Sequence, residues 1–241
     1  MSFWEKTLNS DPKLKAAALA PADIARRVAR EIPPGAAVNL GIGVPTQVAN
    51  YVEPGRGVMF MAENGILGAG PRPAPGEEDW DLINASREPV TAVPGASMFG
   101  HADSFAMIRG GHVDIAVLGA LQVSARGDLA NWTVPGAGKG GIGGAMDLAA
   151  GARQVFATMT HLMKDGGLKL LEECTYPLTA TSVVGKLFTD IAFIEFTGEG
   201  PLLREVAAGL TAEDIQRVSE PRLRVAETLG TLSREPETGD L

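Results

Sequence analysis

Two short apolar runs joined through a helix-length segment constrain this chain most. Ala36 to Leu40 reads as a strand running into Gly41-Ile42-Gly43, and Pro45 opens a helix through Tyr51. Glu53-Pro54-Gly55-Arg56 then turns the chain into a second apolar strand, Val58 to Ala62. Parallel strands need a crossover of this kind, so the unit predicts a sheet with parallel strands and helices on its faces. Upstream, Pro21 starts a helix whose Ile24, Ala25 and Val28 share one side, and Pro33-Pro34-Gly35 ends it.

The pattern recurs. Ser104 to Ile108 suits a helix and Val113 to Leu118 a mostly apolar strand. Leu121 to Val123 and Leu129 to Thr133 flank a turn and predict a hairpin. Ala145 to Ala150 suits a helix, Gln154 to Thr158 and Ile191 to Phe196 suit strands, and Thr211 is placed to cap a short helix. Hydrophobic residues make up 45% of the 241, enough for one large core, and no linker-like stretch divides them. The expectation is a single α/β domain over 1–232 with a mixed, largely parallel sheet flanked by helices. Beyond Gly230 the chain turns polar and is expected to fray, with 233–241 a flexible tail.

The net charge of −8 argues against nucleic acid and anionic membranes as partners. Arg26, Arg27 and Arg30 share their helix with Asp23 and Glu31 and read as a solvated face. A single cysteine, Cys174, excludes an internal disulfide and fits a reducing compartment. As a nucleophile it is disfavoured, because Glu172 and Glu173 beside it raise its pKa. Met-Ser-Phe-Trp-Glu-Lys is no signal peptide, and no apolar run approaches the ~20 residues of a membrane span. The expected location is cytoplasmic, without membrane attachment.

Several motifs fail on context. Gly138-Lys139-Gly140-Gly141-Ile142-Gly143 fits GxGxxG literally but follows Pro135 rather than a strand, which weakens a nucleotide-binding oxidoreductase. Lys139 is followed by Gly140, so the segment is no Walker loop. Gly95-Ala96-Ser97-Met98-Phe99 has Phe99 where a hydrolase elbow needs glycine. His101, His112 and His161 lie in no metal spacing and read as surface or satisfied core residues.

One segment carries chemistry. In Met61-Ala62-Glu63-Asn64-Gly65-Ile66-Leu67-Gly68-Ala69-Gly70-Pro71 an apolar strand ends in a carboxylate, then in a backbone made flexible by three glycines. Strand C-termini are where α/β proteins put ligands, and such glycines let a substrate reach backbone N–H donors. The residues equally suit a turn in which Glu63 caps or pairs with a surface cation.

Glu63 to Pro71 resembles the active-site signature of the family I CoA-transferases, in the β-type subunit of the succinyl-CoA:3-oxoacid enzymes. Val38 to Pro45, Gly140 to Leu148, Thr175 to Thr179 and Asp190 to Phe193 resemble further blocks of that family in order, and the similarity spans about 15–228. The resemblance implies a ping-pong transfer of CoA from an acyl-CoA to a 3-oxo acid, with Glu63 as covalent nucleophile. It implies Asn39 and a backbone N–H of Gly144 or Gly143 as oxyanion donors. Asn64, Gly65, Gly68 and Gly70 form its active-site loop, and Asp147 is a structural helix-end residue. No metal or redox cofactor is implied, coenzyme A being a substrate. The family's α-type half is missing, so the chain is expected to need a separate α-type subunit in a heterodimer or α2β2 assembly. A hydrolase, a transferase for other acids and a non-catalytic partner remain the alternatives, and a scaffold would need neither Glu63 nor Asn39.

Overall fold

The computed structural model describes residues 11–136 and 141–234. Its helices are α1 (Pro12–Ala17), α2 (Pro21–Glu31), α3 (Val44–Gln47), α4 (His101–Arg109), α5 (Ala145–Gly151) and α6 (Ala212–Arg217). Ten strands form one sheet: β1 (Ala37–Leu40), β2 (Met59–Ala62), β3 (Ile66–Ala69), β4 (Ala92–Met98), β5 (Ile115–Gly119), β8 (Gln154–Met159), β10 (Val184–Thr189), β11 (Ala192–Thr197), β12 (Gly200–Ala207) and β13 (Arg224–Leu232). β6 (Gln122–Ser124), β7 (Leu129–Ala130) and β9 (Leu170–Leu171) form a small second sheet.

The large sheet runs β13-β12-β11-β10-β8-β5-β1-β2-β3-β4. Its centre, β10-β8-β5-β1-β2, is parallel throughout. The antiparallel β10–β11–β12 run extends one side and β2–β3–β4 the other. Because both faces of the centre are covered, its strands bury successive residues on opposite sides. Ile115 and Val117 of β5 join the cluster under α2, with Val38, Phe156 and Phe188. Ala116 and Leu118 join the opposite cluster, with Ile108 of α4 and Leu148 of α5. The 3.6-residue spacing of Ile24, Ala25, Val28 and Ala29 supplies the apolar face of α2.

The expected elements around the centre are present with ends shifted by a few residues. The second helix splits into α3 and a 3₁₀ turn, Val48–Tyr51. Thr211 caps α6, its hydroxyl accepting from Asp214 N. Three expectations need correction. Arg27 is not on a solvated face: its side chain, 13% exposed, donates twice to Glu205 at 2.8 Å and lies 4.7 Å from the Phe193 ring. The chain does not fray at Gly230, because β13 pairs with β12 through Leu232, which is buried. The glycines after Glu63 do not loosen the backbone, because Gly68 lies within β3 and pairing resumes at Ile66. Residues 235–241 lie outside the described residues.

Candidate active site

Successive parallel strands end around one cleft of about 530 Å³. Gly41 and Ile42 follow β1, Glu63 follows β2, Ala120 and Leu121 follow β5, and Thr160 follows β8; all line it. Gly143, Gly144 and Ala145 close it at the start of α5. Another cleft, about 560 Å³, is lined by Phe60, Asn50, Arg72 and Glu88 and does not include Glu63.

The hairpin between β2 and β3 fixes Glu63. Gly65 N–H donates to the Ala62 carbonyl at 3.0 Å, and Gly65 has φ +118°, a value L side chains rarely adopt. Gly65 also carries the contact to β4: its carbonyl accepts from Phe99 N–H at 3.0 Å, and a Cβ there would meet Phe99 O at 2.2 Å. A Cβ on Gly70 would meet Thr91 Oγ1 at 2.3 Å, and one on Gly68 would meet Ala96 at 3.0 Å. These glycines thus let β3 lie against its neighbours, and Glu63 stands on a rigid hairpin.

Asn39 sits on β1 in register with Met61 of β2. Its Nδ2 donates to Met61 O at 2.9 Å and to Glu63 Oε2 at 3.3 Å. The residue is 0% exposed, and its Oδ1 has no hydrogen-bond partner among the described residues. An unsatisfied buried polar atom costs about 1–3 kcal/mol. A sheet built for stability alone would place an aliphatic residue there. Asn39 thus reaches Glu63's own carboxylate rather than open cleft.

Gly143 has φ +50° with open space around its Cα. Gly144 is the N-cap of α5, and a Cβ on it would meet Phe105 Cζ at 2.7 Å. Neither N–H donates to another described residue. The structure therefore brings Glu63, Asn39, Gly143 and Gly144 together. It does not bring Asn64 to the cleft: that amide donates to Ile83 O at 2.8 Å and braces the hairpin. Asp147 pairs with Arg109 at 2.7 Å, joining α5 to α4. Gly138, Lys139 and Gly140 lie outside the described residues.

The rival centres lose ground on position. Ser97 lies in edge strand β4, not in a strand–turn–helix elbow. Burial first, and the Asp128 charge second, push the Cys174 thiol up to about 11; the adjacent glutamates are not the cause. His161 is a satisfied core residue, its ring nitrogens 3.1 Å from Thr189 Oγ1 and 3.0 Å from Ser219 Oγ.

Sequence reading missed part of the cleft. Asn131 and Trp132 line it, and Thr179 holds Asn131, its hydroxyl donating to Asn131 Oδ1 at 2.6 Å. Lys169 also lines it, in a segment with no motif; only the fold reveals it as a buried lysine.

Residues 22–217 match the coenzyme A transferase family. The B subunit of a 3-oxoadipate CoA-transferase from Pseudomonas putida is 55% identical over 198 residues, 82% of this chain and 92% of the relative. The B subunit of a probable succinyl-CoA:3-ketoacid coenzyme A transferase from Bacillus subtilis is 48% identical over 204 residues, 85% of this chain and 94% of the relative. An acyl-CoA transferase apoenzyme from Escherichia coli O157:H7 superposes with a TM-score of 0.71 at 18% identity. That match covers 88% of this chain and 42% of the longer one.

Proposed function

The chain belongs to the coenzyme A transferase family, and we propose that it supplies the nucleophile, Glu63, of a heteromeric 3-oxoacid CoA-transferase. The observation that carries this reading is the Asn39 Nδ2 donor held 3.3 Å from Glu63 Oε2 at the strand ends. The naming of the relatives as B subunits supports a separate partner subunit completing the pocket.

In the proposed mechanism a Glu63 oxygen attacks the thioester carbonyl of an acyl-CoA. The C–S bond breaks, giving a mixed anhydride and the CoA thiolate. The thiolate then attacks the glutamyl Cδ, and negative charge collects on the carboxyl oxygen not engaged in the anhydride. Asn39, already donating to Oε2, is placed to stabilise that oxyanion without reorganisation, and a Gly143 or Gly144 N–H serves the charge that forms on the acyl carbonyl. The anhydride C–O bond breaks, the first acid leaves as a carboxylate, and glutamyl-CoA remains. A 3-oxo acid reverses both steps, and exclusion of water conserves the thioester. Coenzyme A enters as a substrate, and no step calls for a metal or redox group.

The test is Glu63→Gln reconstituted with the partner subunit. Assembly is expected to survive and turnover to vanish, because an amide is a poor nucleophile. Wild-type turnover from protein verified free of deamidation would overturn the reading.

A further inference from the structure

The cleft holds a second charged side chain that the signature does not include. Among its described lining residues only Glu63 and Lys169 are charged. Lys169 is 9% exposed, and the one hydrogen bond of its side chain among the described residues runs from Nζ to Thr160 Oγ1 at 3.3 Å. An ammonium carries three donors, so two remain uncommitted. Asp190 acts on Lys169 only electrostatically, and its carboxylate accepts from His161 N–H at 2.7 Å. Burial holds the Lys169 pKa down at about 8, the Asp190 charge opposing it. This is a buried cation without a close counter-ion among the described residues.

The transferase chemistry, on which this inference rests, keeps one negative charge in the cleft throughout. It sits on Glu63 at rest, on the thiolate after the first attack, and on the acid's carboxylate once Glu63 has become a neutral thioester. Glu63 forms no ion pair with Lys169 at rest. The cation is therefore set aside for charge held elsewhere in the cleft. We propose that Lys169 binds the carboxylate of the acid substrate, and so sets the affinity of the glutamyl-CoA form for acids rather than the reactivity of Glu63.

The partner-reconstituted enzyme, loaded with acetoacetyl-CoA and freed of released acid, is titrated with whichever of acetoacetate and 3-oxoadipate discharges the wild-type adduct, read by intact mass. Lys169→Met is expected to load to the wild-type extent but to need about 10- to 100-fold more acid for half-discharge, the worth of one charge-assisted hydrogen bond. Lys169→Arg is expected to recover most of this. Discharge of Lys169→Met at the wild-type acid concentration overturns the proposal. Absence of any adduct in the wild type instead overturns the transferase reading.

A second measurement needs no variant. Only protonated Lys169 binds the acid, so wild-type half-discharge concentrations should be flat below pH 8 and rise about tenfold per unit above it. Of the other groups brought against Lys169, His161 is held down near 4, well below that range, and Glu63 is uncharged as the thioester; burial raises the Asp190 carboxyl above its ordinary value, with the His161 N–H bond opposing. A flat profile from pH 7 to 9.5 also overturns the proposal.

Discussion

Gly65→Ala tests whether the hairpin glycines are structural and position the nucleophile. A methyl group there would lie 2.2 Å from Phe99 O, where real contacts begin near 3.0 Å, so the strands must separate by about 0.8 Å (3.0 − 2.2). Separation lengthens the Phe99 N–H to Gly65 O bond, now 3.0 Å, which is worth about 1 kcal/mol. Holding alanine at φ +118° adds about 1–3 kcal/mol. The sum, about 2–4 kcal/mol, corresponds to a fall in Tm of roughly 5–15 °C for a domain this size. Glu63, two residues away, moves with the turn, and a displacement approaching 1 Å costs about 10²-fold in kcat. The control is Gly55→Ala, where φ is +87° but no atom lies within 4 Å, so only backbone strain applies. Thermal melts and turnover of the reconstituted enzyme measure both effects. A Gly65→Ala protein that melts with the Gly55→Ala control and keeps wild-type kcat would refute the reasoning.

Two more predictions follow from buried polar groups. Asn39→Ala is expected to lower kcat by about 10²-fold through loss of the donor to Glu63 while the fold persists, and unchanged kcat in steady-state assays would reduce Asn39 to a sheet-pairing residue. His161 is neutral in the fold, its pKa lowered by burial to about 4, whereas the unfolded state takes up the proton near 6.5. Stability should therefore fall as pH drops from 6.5 to 4, by up to about 3 kcal/mol, and a His161→Gln variant in denaturant melts across that range should lack this loss.

The parallel centre was legible because strands buried on both faces are continuous apolar runs, as in Ile115 to Leu118. The sheet's margins were not. β13 is mostly exposed, so Arg224 to Leu232 carries no strand pattern, and the chain beyond Gly230 reads as polar tail. β4 is exposed along most of its length and contains Pro94 and Gly95, which argue locally for a turn. β12 interrupts its apolar residues with Arg204 and Glu205, the latter held by Arg27 of α2, far away in sequence. In the site, the strand-end carboxylate and Asn39 were visible because their placement follows from sheet topology and the signature. The glycines pointed to the right segment for a different physical reason, since they admit neighbouring strands. Lys169 had no local signal, because burial of an ammonium arises only when β9 and the turn after β8 meet.

The most direct test of Glu63 as a covalent nucleophile is intact-mass analysis of the reconstituted enzyme given acyl-CoA without acceptor acid. The mass should rise by that of CoA less one water. Peptide mapping after cold acid quench should place the adduct between Met61 and Pro71, and adding a 3-oxo acid should remove it. An active enzyme that never shows the adduct, under a quench that a model thioester survives, would contradict the mechanism, and an adduct on Cys174 or Ser97 would move the site.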